Sequence, residues 1–144
     1  MKLDFQTAFQ AAKMPALALI ATVLIFYVLA SFGLNLDAIL LPIQFIILAY
    51  AGYNGVKAFK LGIANGALAG AIASFLFGAF SEIVGKIRYF SDAGYQQALS
   101  AQAGVPIEEF TFYMVIGAVI FVLIISPILG FVFGAIGAYF AKKK

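Results

Sequence analysis

The chain has 144 residues, 65% of them hydrophobic and 10% charged, with a mean hydropathy of +1.07 and a formal net charge of +3. A soluble domain is roughly 45–50% apolar and about 25% charged, so the composition excludes intrinsic disorder, a secreted disulfide scaffold and an ordinary water-soluble enzyme, and places the chain in a lipid bilayer. Only nine basic side chains carry the positive balance, three of them the terminal Lys142, Lys143 and Lys144, which is too narrow a footprint for nucleic acid.

The first stretch, Lys2 to Lys13, is too polar to insert. Phe5, Ala8, Phe9 and Ala12 fall on one face at i, i+3, i+4 and i+7, so residues 1–13 read as an interfacial helix on the inner membrane surface, with a frayed start to the first span as the alternative. Four segments are then apolar and long enough to approach or cross a hydrocarbon core of about 30 Å. The first covers residues 15–32 and opens on a proline suited to a first helical position. Val28-Leu29-Ala30 has the look of a signal cleavage site, but three further spans follow, and the segment is read as retained. The second covers 38–53, entered through Asn35 and Asp37 as candidate caps and closed at Asn54-Gly55. The third covers 61–85.

An outer loop over 86–109 holds a short helix from Asp92 to Ala103, with Ser91 as its cap and Gly104 as its stop. The fourth span covers 110–140. At 1.5 Å per residue it would measure about 46 Å, longer than the core is thick. Pro127 interrupts it beside Ser126, so a kink or tilt is expected there. Together these give an all-α fold, an integral membrane four-helix bundle forming a single transmembrane domain.

An even number of spans puts both termini on one side. That side takes Lys2, Lys13, Lys57, Lys60, Lys142, Lys143 and Lys144, against Lys86 and Arg88 on the other. Positive residues accumulate in cytoplasmic loops, so both termini are expected in the cytoplasm, of a prokaryotic plasma membrane on the simplest assumption. Tyr50, Tyr53 and Tyr139 near the inner span ends and Tyr89 and Tyr113 near the outer ends fit an aromatic belt at the membrane boundary.

The third span carries the most specific pattern. Gly62, Gly66, Gly70, Ser74 and Gly78 recur every four residues, and Ser126, Gly130, Gly134 and Ala138 repeat the spacing in the fourth span. Lipid tails are as apolar as leucine, so helices associate through close backbone contact, which small residues permit. Two uses remain open: packing between spans three and four of one chain, and self-association into a homo-oligomer or larger membrane complex.

With no Cys and no His, the usual ligands for zinc, haem and iron–sulfur clusters are missing, as are the common nucleophilic relays; no cofactor is expected. The acids and Lys86 sit near span ends, and Glu82 and Lys86 have the favourable i, i+4 order of a helical pair. Gln44 and Asn65 are candidate polar contacts, since an intramembrane amide seeks a hydrogen bond from a neighbouring helix. Residues 65–73 and 130–139, rich in Gly and Ala and each beside lysines, resemble the small four-helix membrane proteins of unknown function common in archaeal genomes. That resemblance implies a fold and no activity. The reading is a structural or accessory membrane protein without catalysis; the alternative is a small channel or transporter component for ions or small solutes.

Overall fold

The computed structural model describes residues 3–34 and 37–143; the readings of Lys2, Asn35 and Lys144, and of the Asp37 side chain, lie outside it. The described residues form helices joined by short turns, with no strand among them: α1 (Phe5–Ser31), α2 (Asp37–Lys57), α3 (Ile63–Ser91), α4 (Ala93–Ala103), α5 (Ile107–Ile120) and α6 (Ser126–Lys143). A π-helical turn, Phe121–Ile125, joins α5 to α6. Four helical stretches are long and apolar enough to cross a membrane: Phe5–Leu29, Ala38–Lys57, Ile63–Ser91 and Ile107–Lys143.

The separate interfacial helix is overturned. A single helix runs from Phe5 to Ser31, straight through Pro15, and its first 25 residues qualify as one apolar span. Two local causes explain it. Asp4 caps the helix, its carboxylate accepting from the Thr7 amide at 3.0 Å and the Thr7 hydroxyl at 2.8 Å, which starts the helix ten residues before the proline. Ala8, Ala11, Ala12, Ala16 and Leu19 then form one buried stripe with Pro15 among them, packed against the alanines of α2 and α3. Phe5 and Phe9, expected to share a face with Ala8 and Ala12, point outward at 61% and 41% exposure. Small residues face the neighbouring helices and large ones face away, the reverse of an amphipathic helix lying on a surface.

Neighbouring contacts fix the directions. Ala49 and Gly52 of α2 meet Gly137 and Gly134 of α6 in reverse order, and Gly66, Gly70 and Ser74 of α3 meet Ala138, Gly130 and Ser126 likewise. Both pairs are therefore antiparallel. α1 runs parallel to α3, because the Asp4 amide donates to Asn65 Oδ1 (3.0 Å) at one end while Tyr27 lies by Arg88 at the other. The start of α1, the α2–α3 turn and the end of α6 consequently gather at one end, where Ile63 lies beside Tyr139, Lys142 and Lys143.

Local chemistry shifts several boundaries. Asn54-Gly55 does not stop α2, which continues to Lys57, since Gly55 is buried against Gly66. The turn ends instead with Lys60 at φ 55 and the Leu61 amide donating to the Gly55 carbonyl at 3.0 Å. Asp92, not Ser91, caps α4: its Oδ1 accepts from the Tyr95 amide at 3.0 Å, while the Ser91 hydroxyl turns back to the Arg88 carbonyl. Gly104 closes α4 at φ 71, a left-handed conformation that glycine adopts without a Cβ penalty.

Candidate functional site: a glycine seam around α6

The ladder residues occupy different environments. A Cβ added to Gly70 would strike the Gly130 carbonyl oxygen, and one on Gly130 would strike the Gly70 carbonyl and the Ser74 side chain. At Gly66 it would lie 2.8 Å from the Ala138 methyl, and at Gly78 the same distance from Ser126 Oγ. Gly134 sits between Ala67 and Gly70 of α3, and its own carbonyl blocks any Cβ at Gly52 of α2. Gly62 stands apart: it precedes α3 as its N-cap and a Cβ there meets nothing.

Serines take the middle of the seam. Ser74 and Ser126 are buried, at 4% and 3% exposure, with their hydroxyls 2.9 Å apart. Ser126 Oγ also lies 2.7 Å from the Ser74 carbonyl oxygen, to which it donates. Pro127 follows directly. It has no amide proton, and in an α-helix its ring would press on the carbonyl four residues back. The π turn ending at Ile125 widens the backbone just before it, with the Ser126 amide reaching Phe121 O instead.

Gln44 is half-buried and lines a recess of about 310 Å³ between α2, α3 and the π turn, together with Ser74, Ser126, Phe45, Phe77 and Phe121. Asn65 is far from it, at the lysine end, holding the Asp4 amide. The two amides therefore share no cavity. Glu82 and Lys86 form an ion pair at 3.1 Å on the opposite end of α3.

Three contributors lie outside the period-four rows. Gly52 and Gly137 make some of the closest backbone approaches, against Gly134 and Ala49. The α1 alanines pack on the same core as Ala69 and Ala73. A spacing signal existed for α1, since Ala8, Ala12 and Ala16 recur every four residues; α2 offered a shorter one, Ala51 and Gly55 four apart and Ala49, Gly52 and Gly55 three apart. Tyr89, expected at the membrane boundary, is 1% exposed, and its hydroxyl lies 2.7 Å from Thr111 Oγ1 of α5.

The whole seam brings backbone to backbone. Its polar groups satisfy one another, and among the described residues no three His, Cys, Asp or Glu side chains converge. No protein-family model, curated protein or solved structure matches the chain.

Proposed function

We propose that the chain is a four-span integral membrane protein with a structural or accessory role, acting through helix packing and without catalysis. The observation that carries this reading is α6, whose Gly130, Gly134, Gly137 and Ala138 are buried against two helices at once while α5 buries none of its residues. One half of the last span is locked into the fold, and the other half presents Phe112, Val115, Ile116 and Val119 outward. Because the ladder glycines are engaged inside the chain, a homo-oligomer or a larger complex would use the α5 face.

Tyrosine levels support a bilayer setting. Tyr50 and Tyr139 flank residues that pack at the level of Gly66 or next to it, and Tyr27 and Tyr113 lie near Arg88 and Thr111. Gly66 and Arg88 are twenty-two residues apart on α3, about 33 Å of helix, close to the thickness of a hydrocarbon core. Lysines concentrate at the Gly66 end, which supports cytoplasmic termini in a prokaryotic plasma membrane. Lys13 lies inside the first span, Phe5–Leu29, rather than at its end. Its Nζ turns back over the Phe9 ring at 5.4 Å, toward the lysine end, as a snorkelling side chain does.

Crosslinking in native membranes tests the role. Adducts through cysteines introduced on the α5 face, to a second copy or to a larger protein, are expected; a chain strictly monomeric and partnerless would contradict it. A small channel or transporter component is the second reading, favoured by the Gln44 amide in its recess. Flux in liposomes decides that reading, and no flux above background removes it.

A further inference from the structure

At the end of α3 away from the lysines, α1 and α3 enclose a recess of about 380 Å³ with Leu24, Tyr27, Phe80, Ser81 and Val84 on its walls and Arg88 among its lining residues. The Arg88 guanidinium lies 4.5 Å from the centre of the Tyr95 ring and 5.8 Å from that of Tyr27. Cation–π attraction of this kind uses no hydrogen-bond acceptor, so the guanidinium keeps N–H donors for an anion. Among the described residues no carboxylate reaches it: Glu82 pairs with Lys86, and the Asp92 carboxylate caps α4. Ser81 adds a small side chain to the same wall, its hydroxyl oxygen turned away beneath the recess surface. A cation without a counter-ion and an apolar wall thus lie together.

We propose that this recess holds one anionic phospholipid, its phosphate on Arg88 and one chain along α1 and α3. The inference rests on the membrane reading above. Free phosphate would satisfy Arg88 and leave the apolar walls uncovered; a zwitterionic lipid would bring its own cation against the guanidinium. Lipid answers both features with one molecule.

Native mass spectrometry of the full chain, released from nanodiscs of equimolar phosphatidylglycerol and phosphatidylcholine, tests it. One retained phosphatidylglycerol per chain is expected. Arg88→Gln should lower that retention about tenfold, the scale of a hydrogen bond to a charged group. Ser81→Leu, which fills the recess and keeps the charge, should lower it too, and Lys60→Gln should leave it unchanged. Equal retention of both lipids, retention insensitive to Arg88→Gln and Ser81→Leu, or displacement by millimolar inorganic phosphate would overturn the proposal while leaving the membrane reading intact. A chain that never enters the nanodiscs would overturn both.

Discussion

Ser126 donates its hydroxyl hydrogen to the Ser74 carbonyl oxygen across 2.7 Å, joining the centre of α3 to the first turn of α6. Its own Oγ is also within 2.9 Å of Ser74 Oγ, so one side chain holds a backbone and a side-chain partner on the neighbouring helix. Gly78 and Gly130 on either side let the helices approach closely enough for that reach. Interhelical hydrogen bonds in membranes couple by about 0.6 kcal/mol on average, and up to about 1.7. A cycle of Ser74→Ala, Ser126→Ala and the double variant, read by unfolding in bicelles, should return a coupling in that range. A value of zero would contradict an energetic role for the hydroxyl–hydroxyl contact, while the bond to the Ser74 carbonyl survives Ser74→Ala and shows in the Ser126→Ala loss alone.

Backbone contact carries more. Gly70→Ala sets a methyl against the Gly130 carbonyl and should destabilise by about 1–3 kcal/mol, as overpacking does. Gly117→Ala, on the exposed face of α5 with nothing near its Cβ, should be neutral or stabilise by up to about 1 kcal/mol. Equal effects of the two in the same unfolding assay would contradict the seam.

The continuous α1 makes an opposite pair of predictions. Ala12→Leu, at a position with no exposed surface, should destabilise by about 1–3 kcal/mol, whereas Phe9→Ala should change folding by less than about 0.5 kcal/mol. A helix lying on the membrane surface through Phe5 and Phe9 would give the reverse. Partition and unfolding measurements on both variants distinguish them.

Ahead of Pro127, the π turn sets the rotation of α5 against α3. Deleting Val122 should turn α5 by about 100°, which takes Thr111 away from Tyr89. Tyr89→Phe should then lose about 0.5–1.5 kcal/mol in the native background and close to nothing in the deletion background. Additive losses would show that the turn does not position Thr111.

Spacing made part of this legible. Gly66, Gly70, Ser74 and Gly78 announce a packing row because four residues bring the chain nearly back to the same helix face, and the row drifts slowly enough to stay in contact. Gly62 belongs to the same spacing and lies outside the contact, because the helix begins only after it. Asp4 was hidden by its surroundings: among Lys2, Gln6 and Lys13 a cap reads as one more polar residue, and Pro15 offered the more familiar start. Tyr89 could not be read from its own neighbourhood, since the hydroxyl that buries it comes from Thr111, twenty-two residues later. Composition and period speak for elements; partners across helices depend on register, which a single row does not set.

Cysteine accessibility in intact cells tests the central claim most directly, and the chain has no native cysteine to confuse it. Lys60→Cys in the α2–α3 turn and Gln97→Cys in α4 should react with a membrane-impermeant maleimide from opposite sides, Gln97→Cys in intact cells and Lys60→Cys only in inverted vesicles. Labelling of both from the same side would contradict a four-span protein with its termini in the cytoplasm.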